Sequence, residues 1–149
     1  MKQGDGCMSM DRFARHIISV VHNSGQEITN LQLQKIMYFS LQYALRNNLF
    51  TQQQLQDIYD VPFLVWRYGP VVQNIYEKYK IYGSDPITEN DTQCPQLDIL
   101  NNEIIRLSNE NVFDLVDRSH AEAFWEKYEN RIIGWRSNVA YSLEDIANG

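Results

Sequence analysis

The sequence predicts a mainly α-helical, single compact domain around a central buried helix at about residues 30–46. Most apolar residues recur three or four positions apart, which is the spacing of one helix face. A length of 149 residues with 44% apolar content suits one domain with one core. Only one segment, near residues 61–67, is short, apolar and β-branched enough to predict a minor β element.

Residues 1–8 are predicted to form a flexible arm, and residues 9–149 a single domain. Ser9 is the predicted N-cap of the first helix, because its hydroxyl can accept a hydrogen bond from an unpaired N–H of the first turn. His16 and His22 lie six positions apart, so they do not share a helix face. Both are therefore predicted to be surface histidines and not metal ligands.

A capping box predicts where the central helix begins. Thr29 is followed three residues later by Gln32, so each side chain can bond the other's unpaired main-chain N–H. Apolar residues then lie nearly all round the helix as far as about Arg46, which predicts that this helix is buried. Lys35 lies on it, and a buried ammonium needs an acceptor or a carboxylate, or must give up its proton.

The predicted strand near residues 61–67 contains Pro62, which restricts it to a strand start or an edge. Its expected partner is the segment 135–141, the other non-helical stretch of similar character. Gly69 and Pro70 are predicted to turn the strand into a helix, because proline is favoured at the first helical position.

The C-terminal half predicts further helices. Residues 84–96 contain many turn formers and predict an exposed connection. The helical spacing of apolar residues then resumes in two segments, 97–107 and 112–116. Ser142 with Asp145 predicts the capping box of a last short helix.

Ser119 with Glu122 has the form of another capping box, which predicts that a helix begins there. Asp114, Asp117 and His120 recur at three-residue steps across the same region. A helix boundary at Ser119 would interrupt this run. The aspartates are therefore predicted to be solvated surface groups, and His120 to lie in the first turn of the following helix.

Charge and cysteine content argue against several classes of protein. A net charge of −6 argues against nucleic-acid binding, because affinity for phosphates comes from concentrated lysine and arginine. Cys7 and Cys94 are far apart and lack metal-ligand spacing, so neither a disulfide framework nor a metal site is predicted. The sequence has no signal-peptide pattern and no apolar run of membrane-spanning length. A soluble, cytoplasmic protein with no membrane association is expected.

Motifs of common enzymes are missing from the sequence. It has no phosphate-binding glycine loop, no His-Glu-x-x-His, no Cys-x-x-Cys and no glycine-flanked nucleophilic serine. We therefore expect no catalytic residues, no cofactor and no enzymatic activity.

One group of side chains has two interpretations. Lys35, Tyr38, Trp66, Arg67 and Tyr68 either ring a shallow pocket or contact face, or belong to the fold. In the second interpretation the stem of Lys35 runs out along its neighbours to solvent, while the aromatic residues fill the core.

Several blocks of sequence resemble a known family when their spacing is kept. The blocks are Leu33-Gln34-Lys35-Ile36-Met37-Tyr38-Phe39, then Trp66-Arg67-Tyr68-Gly69-Pro70-Val71-Val72, then Ile75-Tyr76 and Tyr82-Gly83, and finally Ser119-His120-Ala121-Glu122 with Trp125. Together they resemble the Panacea domain family of SocA/GepA-like antitoxins and phage-associated proteins. The resemblance extends from about Phe13 to Ile146.

This resemblance implies an antitoxin that neutralises a co-encoded protein toxin by direct binding. In the SocA branch it also implies an adaptor that delivers the toxin to a cytoplasmic protease. The candidate interface or signature residues carried over are Lys35, Tyr38, Trp66, Arg67, Tyr68, Gly69, Pro70, Tyr76, His120 and Trp125. Trp and Tyr also suit an interface, since binding energy concentrates in Trp, Tyr and Arg.

Two alternatives remain open from the sequence. The first is an uncharacterised enzyme with a pocket around Lys35, Tyr68 and His120. The second is a phage-associated regulator that contacts host protein or DNA, for which a clustered basic face would be needed.

Overall fold

The computed structural model describes residues 8–149, so most of the predicted N-terminal arm lies outside the described residues. Met8, the last residue of the predicted arm, is buried. The predicted mainly α fold is confirmed: the described part of the chain forms eight α-helices and one two-stranded sheet. No helix within residues 8–149 has both the length and the apolar character needed to cross a membrane.

The elements follow one another with short connections. The helices are α1 (Met10–Asn23), α2 (Asn30–Arg46), α3 (Gln52–Ile58), α4 (Gln73–Tyr79), α5 (Asn101–Ser108), α6 (Val112–His120), α7 (Ala123–Tyr128) and α8 (Leu143–Ala147). Short 3₁₀ turns lie at Lys80–Tyr82, Pro95–Leu100 and Glu129–Arg131. Strands β1 (Leu64–Trp66) and β2 (Gly69–Val71) lie between α3 and α4.

Helix α2 is the centre of the molecule, as predicted. Its capping box is present, with Thr29 Oγ1 accepting from Gln32 N at 3.2 Å and Gln32 Oε1 accepting from Thr29 N at 2.8 Å. Of its 17 residues, twelve are buried. Helices α1, α5, α6 and α8 and strand β2 all pack against it. Burial on all sides follows from the apolar residues around its circumference.

The prediction that Gly69 and Pro70 begin a helix is wrong. They lie in β2, which pairs antiparallel with β1 so that Trp66 faces Gly69, and α4 begins only at Gln73. Gly69 has a φ of +97°, a conformation that glycine adopts without steric cost and that suits the residue after a hairpin turn. Pro70 is tolerated because it lies on the edge of the sheet, where no N–H is required.

The predicted pairing of the strand with residues 135–141 is confirmed. Val65 N donates to Val139 O at 2.9 Å, and Arg67 N donates to Trp135 O at 3.0 Å. An isolated bridge joins Leu64 to this segment. The hairpin is therefore held along β1 by the C-terminal part of the chain.

The predicted helix start at Ser119 is also wrong. Helix α6 continues through Ser119 and ends at His120, so His120 lies in the last turn of α6 and not in the first turn of α7. Ser119 is fully buried, and its hydroxyl donates to Val116 O at 2.7 Å. The Glu122 carboxylate does not bond the main chain of Ser119, because it accepts from Tyr38 and Gln42 instead, and Glu122 is itself the N-cap residue of α7. The predicted caps at Ser9 and Ser142, like that at Thr29, are confirmed.

His16 is buried, so the prediction that it is a surface residue is wrong. Its Nδ1 accepts from Cys94 N at 2.9 Å, and its Nε2 lies 2.7 Å from Asn101 Oδ1. Burial lowers the pKa of His16 below its usual value. His22 is half-buried, with Nε2 2.9 Å from Ile87 O. The connection 84–96 is therefore attached to α1, and it is not exposed throughout as predicted.

Candidate functional site

A groove of about 460 Å³ lies beside the hairpin. Residues from α2, both strands, α4, the start of α6 and the turn at 133–136 line it. Its walls are mainly apolar and include Leu31, Trp66, Tyr68, Tyr76, Phe113 and Trp135. Its volume lies in the range of sites that bind small molecules or side chains of a partner. It is the strongest candidate site among residues 8–149.

Three aromatic rings form one wall of the groove. The ring centroids of Trp66 and Tyr76 are 5.4 Å apart, those of Trp66 and Trp135 are 5.4 Å apart, and those of Tyr76 and Trp135 are 5.7 Å apart, all edge to face. The guanidinium of Arg136 lies 4.6 Å from the Trp66 ring and 4.7 Å from the Trp135 ring. Arg136 also pairs with Glu77 at 3.2 Å. These contacts fix the orientation of the wall.

The rim of the groove exposes large apolar side chains to solvent. Tyr68 is 51% exposed, Phe113 is 61% exposed and Trp135 is 40% exposed. A contiguous exposed apolar patch is a candidate interaction site on a protein surface. Phe113 and Trp135 were missed as site residues in the sequence. The only signal for Phe113 was its position outside the apolar stripe of α6.

Lys35 lies beneath the hairpin and does not line the groove. It is fully buried, and its Nζ donates to Pro70 O at 2.5 Å. Neither interpretation of Lys35 holds: it does not line the groove, and its stem does not run out to solvent, because the backbone at Gly69 covers it and a Cβ there would lie 3.0 Å from Nζ. No carboxylate pairs with it within residues 8–149. Burial lowers the pKa of Lys35 well below its usual range.

The outer edge of β2 is closed by two side chains of α2. The carbonyl of Pro70 accepts from Lys35, and Val72 N donates to Gln34 Oε1 at 2.9 Å. Pro70 itself has no N–H. The main-chain groups that this edge would offer to another strand are therefore already bonded.

His120 and Trp125 hold the other side of the hairpin. Trp125 is buried, and its Nε1 donates to Trp66 O at 2.9 Å. The His120 ring stacks on Trp125 with centroids 3.8 Å apart, and its Nε2 lies 2.7 Å from Arg67 O. The Arg67 side chain donates to Gly134 O, which ties the hairpin turn to the turn at 133–136.

Tyr38 belongs to the core, away from the groove. Its hydroxyl donates to the Glu122 carboxylate, whose other oxygen accepts from Gln42 Nε2 at 2.9 Å. Its ring packs edge to face on Phe63 at 5.3 Å. Burial beside a carboxylate raises the pKa of Tyr38 far above its usual value.

The ten signature residues thus divide into three groups. Trp66, Tyr68 and Tyr76 line the groove, Lys35, Arg67, Gly69, Pro70, His120 and Trp125 hold the hairpin that forms its wall, and Tyr38 packs in the core. Of the three residues of the hypothetical enzyme pocket, only Tyr68 lines the groove. Asp114 and Asp117 are exposed, as predicted. The described residues contain no group of three or more His, Cys, Asp or Glu side chains that could hold a metal ion.

Comparisons of the chain with protein-family models, with curated protein sequences and with solved structures found no match. The resemblance to the Panacea domain family stays a prediction from the residues.

Proposed function

We propose that this chain is an antitoxin that neutralises a co-encoded protein toxin by direct binding. The observation that carries the proposal is the groove, an open apolar surface with three aromatic residues on its rim. Binding energy at protein interfaces is concentrated in a few residues, among which Trp, Tyr and Arg are enriched. The resemblance to antitoxins, drawn from the residues that build and support this groove, supplies the class of partner.

The charge of the chain supports a protein partner over a nucleic acid. With a net charge of −6, the chain would be repelled by phosphate backbones, whereas a basic face of a toxin would be steered towards it. The proposal includes a cytoplasmic complex, and delivery of the toxin to a cytoplasmic protease as a second step.

The proposal assigns binding to this chain and not catalysis. Lys35 is sealed under the hairpin, and His120 is stacked on Trp125 and bonded to main chain. Catalysis would need a nucleophile or base within reach of a bound substrate, together with a group that orients it. The groove's neighbours Lys35 and His120 do not meet that requirement.

The experiment is co-expression of the neighbouring open reading frame with and without this chain in the native host or a close relative. We expect the neighbour alone to stop growth, and this chain to restore growth and to co-purify with it in a fixed stoichiometry. Growth arrest that this chain does not relieve, without a complex, would overturn the proposal. The half-life of the toxin, measured with and without the chain, tests the protease step: an adaptor shortens it, and a simple inhibitor does not.

A further inference from the structure

We propose that the groove binds an amphipathic α-helix of the toxin, with large apolar side chains of that helix in the groove and basic side chains over the acidic rim. This inference rests on the proposed antitoxin function and adds the chemistry of the segment that is recognised. Three features of the groove support it: its apolar walls, the closed edge of the hairpin and the charges on its rim.

The apolar walls require an occupant that presents large apolar side chains. Tyr68, Phe113 and Trp135 are each 40% to 61% exposed on the rim, while Leu31 and Val71 lie deeper in the lining. A helix presents such side chains at positions i, i+3, i+4 and i+7, which is how amphipathic helices dock into apolar grooves. Burial of the exposed aromatic surface supplies the affinity.

The closed edge of the hairpin argues against an extended peptide. Addition of a strand requires free main-chain groups along an exposed sheet edge. On β2 the carbonyl of Pro70 is bonded to Lys35, and Val72 N is bonded to Gln34. On β1 the other edge is bonded to residues 135–141. An occupant must therefore satisfy its own main chain, as a helix does.

The charges on the rim favour a basic occupant. Asp85 follows the lining residue Ser84, and Asp114 follows Phe113, with Asp117 one turn further along the face of α6 that carries Phe113. All three aspartates are exposed, and none forms an ion pair within residues 8–149.

The positive charges beside the groove, at Lys80, Arg67 and Arg136, each have a partner among the described residues, and Arg136 is paired with Glu77. Lys80, the charged residue of the lining, is paired with Glu77 at 2.9 Å. Arg67, next to Tyr68, is bonded to Gly134 O. The carboxylates free to bind a partner are therefore Asp114 and Asp117 on α6, and Asp85 after the turn at Lys80–Tyr82. A second copy of this chain would bring the same acidic rim against itself, so the charge favours a different, basic chain.

The experiment is selection of random peptides displayed on phage against the immobilised full-length chain, with the Phe113→Ser chain used to remove peptides that bind elsewhere. We expect enriched peptides to carry large apolar residues at helical spacing together with lysine or arginine. Enrichment of extended, proline-rich or acidic peptides would overturn the proposal. Failure to enrich any peptide over the Phe113→Ser chain would overturn it as well.

The enriched peptide is then synthesised with a fluorescent label, and its dissociation constant is measured by anisotropy. Phe113→Ser and Tyr68→Ser should each weaken binding about tenfold or more, because each removes an exposed aromatic anchor. Ile99→Ser is the matched control, since Ile99 is 55% exposed and lies outside the groove. It should leave the affinity unchanged. An equal loss in all three variants would contradict recognition by the groove.

A second set of variants tests the rim charge. Asp85→Asn combined with Asp117→Asn should slow association several-fold at low salt and reduce the salt dependence of the rate. Glu126→Gln combined with Glu129→Gln removes the same charge from exposed positions that do not line the groove, and it should change neither quantity. Identical rates for both pairs would refute the role of the acidic rim.

The outcomes separate this inference from the antitoxin proposal. If the chain rescues growth and Phe113→Ser rescues equally well, the groove is not the toxin-binding surface and the antitoxin function stands. If the neighbour is not toxic and basic helical peptides still bind the groove, the recognition stands and the antitoxin function fails. Dimerisation of the free chain that Phe113→Ser abolishes would identify a second copy as the occupant and overturn the inference.

Discussion

Replacing Lys35 with methionine tests whether the buried amine is neutral in the folded protein. Lys35 is completely buried, donates to Pro70 O and has no carboxylate partner, so burial lowers its pKa well below the usual value. In the unfolded chain the same side chain holds its proton up to about pH 10.4. Between the two pKa values the unfolded state therefore binds one proton more than the folded state.

The sign and size of the effect follow from this difference. The free energy of unfolding of the wild type should rise by about 1.4 kcal/mol per pH unit between the lowered folded-state pKa of Lys35 and about pH 10.4, on account of this group alone. Lys35→Met removes that contribution. It also leaves Pro70 O without its donor, which costs about 1–3 kcal/mol at every pH. The difference in the free energy of unfolding between wild type and Lys35→Met should therefore change with pH, whatever its absolute size.

Urea unfolding at a series of pH values between about 7 and 9.5 measures this difference. Other titrating groups, including the buried tyrosines with raised pKa values, contribute equally to both proteins and cancel. Lys127→Met is the control, because Lys127 is exposed, and its curve should stay parallel to that of the wild type. A constant difference between wild type and Lys35→Met across the whole range would refute the reasoning and show that the amine is charged in the fold.

Three further predictions concern the supports of the fold. Trp125→Phe keeps an aromatic ring and loses the N–H bonded to the carbonyl at the end of β1, so it should lower the free energy of unfolding by about 1–3 kcal/mol in urea titrations. Gly69→Ala should lower the free energy of unfolding by more than Gly134→Ala does. Both glycines have positive φ, but of the two positions only Gly69 has buried atoms where a Cβ would lie. Equal losses in urea titrations would contradict the packing described. Burial lowers the pKa of His16, so the free energy of unfolding should rise with pH between the folded-state pKa of His16 and about pH 6.5. An NMR titration of the folded protein should therefore find that His16 takes up its proton below about pH 6.5.

Most of the correct predictions depend on residues close together in the chain, and one is a pairing between distant segments. The capping box at Thr29 and Gln32 needs only a three-residue spacing, and the apolar circumference of α2 can be read directly from its residues. The pairing of β1 with residues 135–141 was predicted because few segments of the chain have strand character.

The errors share a different cause. Ser119 with Glu122 has the spacing of a capping box, but Glu122 is bonded to Tyr38 and Gln42, which are about 80 residues away in sequence. His16 is buried because the segment 84–96 folds back onto it. Local patterns give the intrinsic preference of a segment, and tertiary contacts decided these cases.

Trp66 and Tyr68 were predicted at a pocket or contact face and do line the groove, but its other wall could not be predicted from the sequence, for the same reason. Phe113 and Trp135 come from two segments far from the hairpin in sequence, and each is unremarkable in its own segment. Their meeting depends on where the hairpin lies relative to α6 and the turn at 133–136. The aromatic residues of the hairpin were therefore predicted at the site, whereas the residues that complete the groove were not.

The side chains that support the hairpin are different from the side chains that form the rim of the groove. Lys35, Gln34, Trp125 and His120 all bond main-chain atoms of residues 66–72. Because these bonds go to main-chain atoms, they do not depend on which side chains the hairpin carries. Tyr68, at its turn, can therefore change without loss of the supports beneath it, and the same holds for the exposed Phe113 on α6. We therefore expect substitutions of Tyr68 or Phe113 to change what the groove binds while the buried supports keep the hairpin in place.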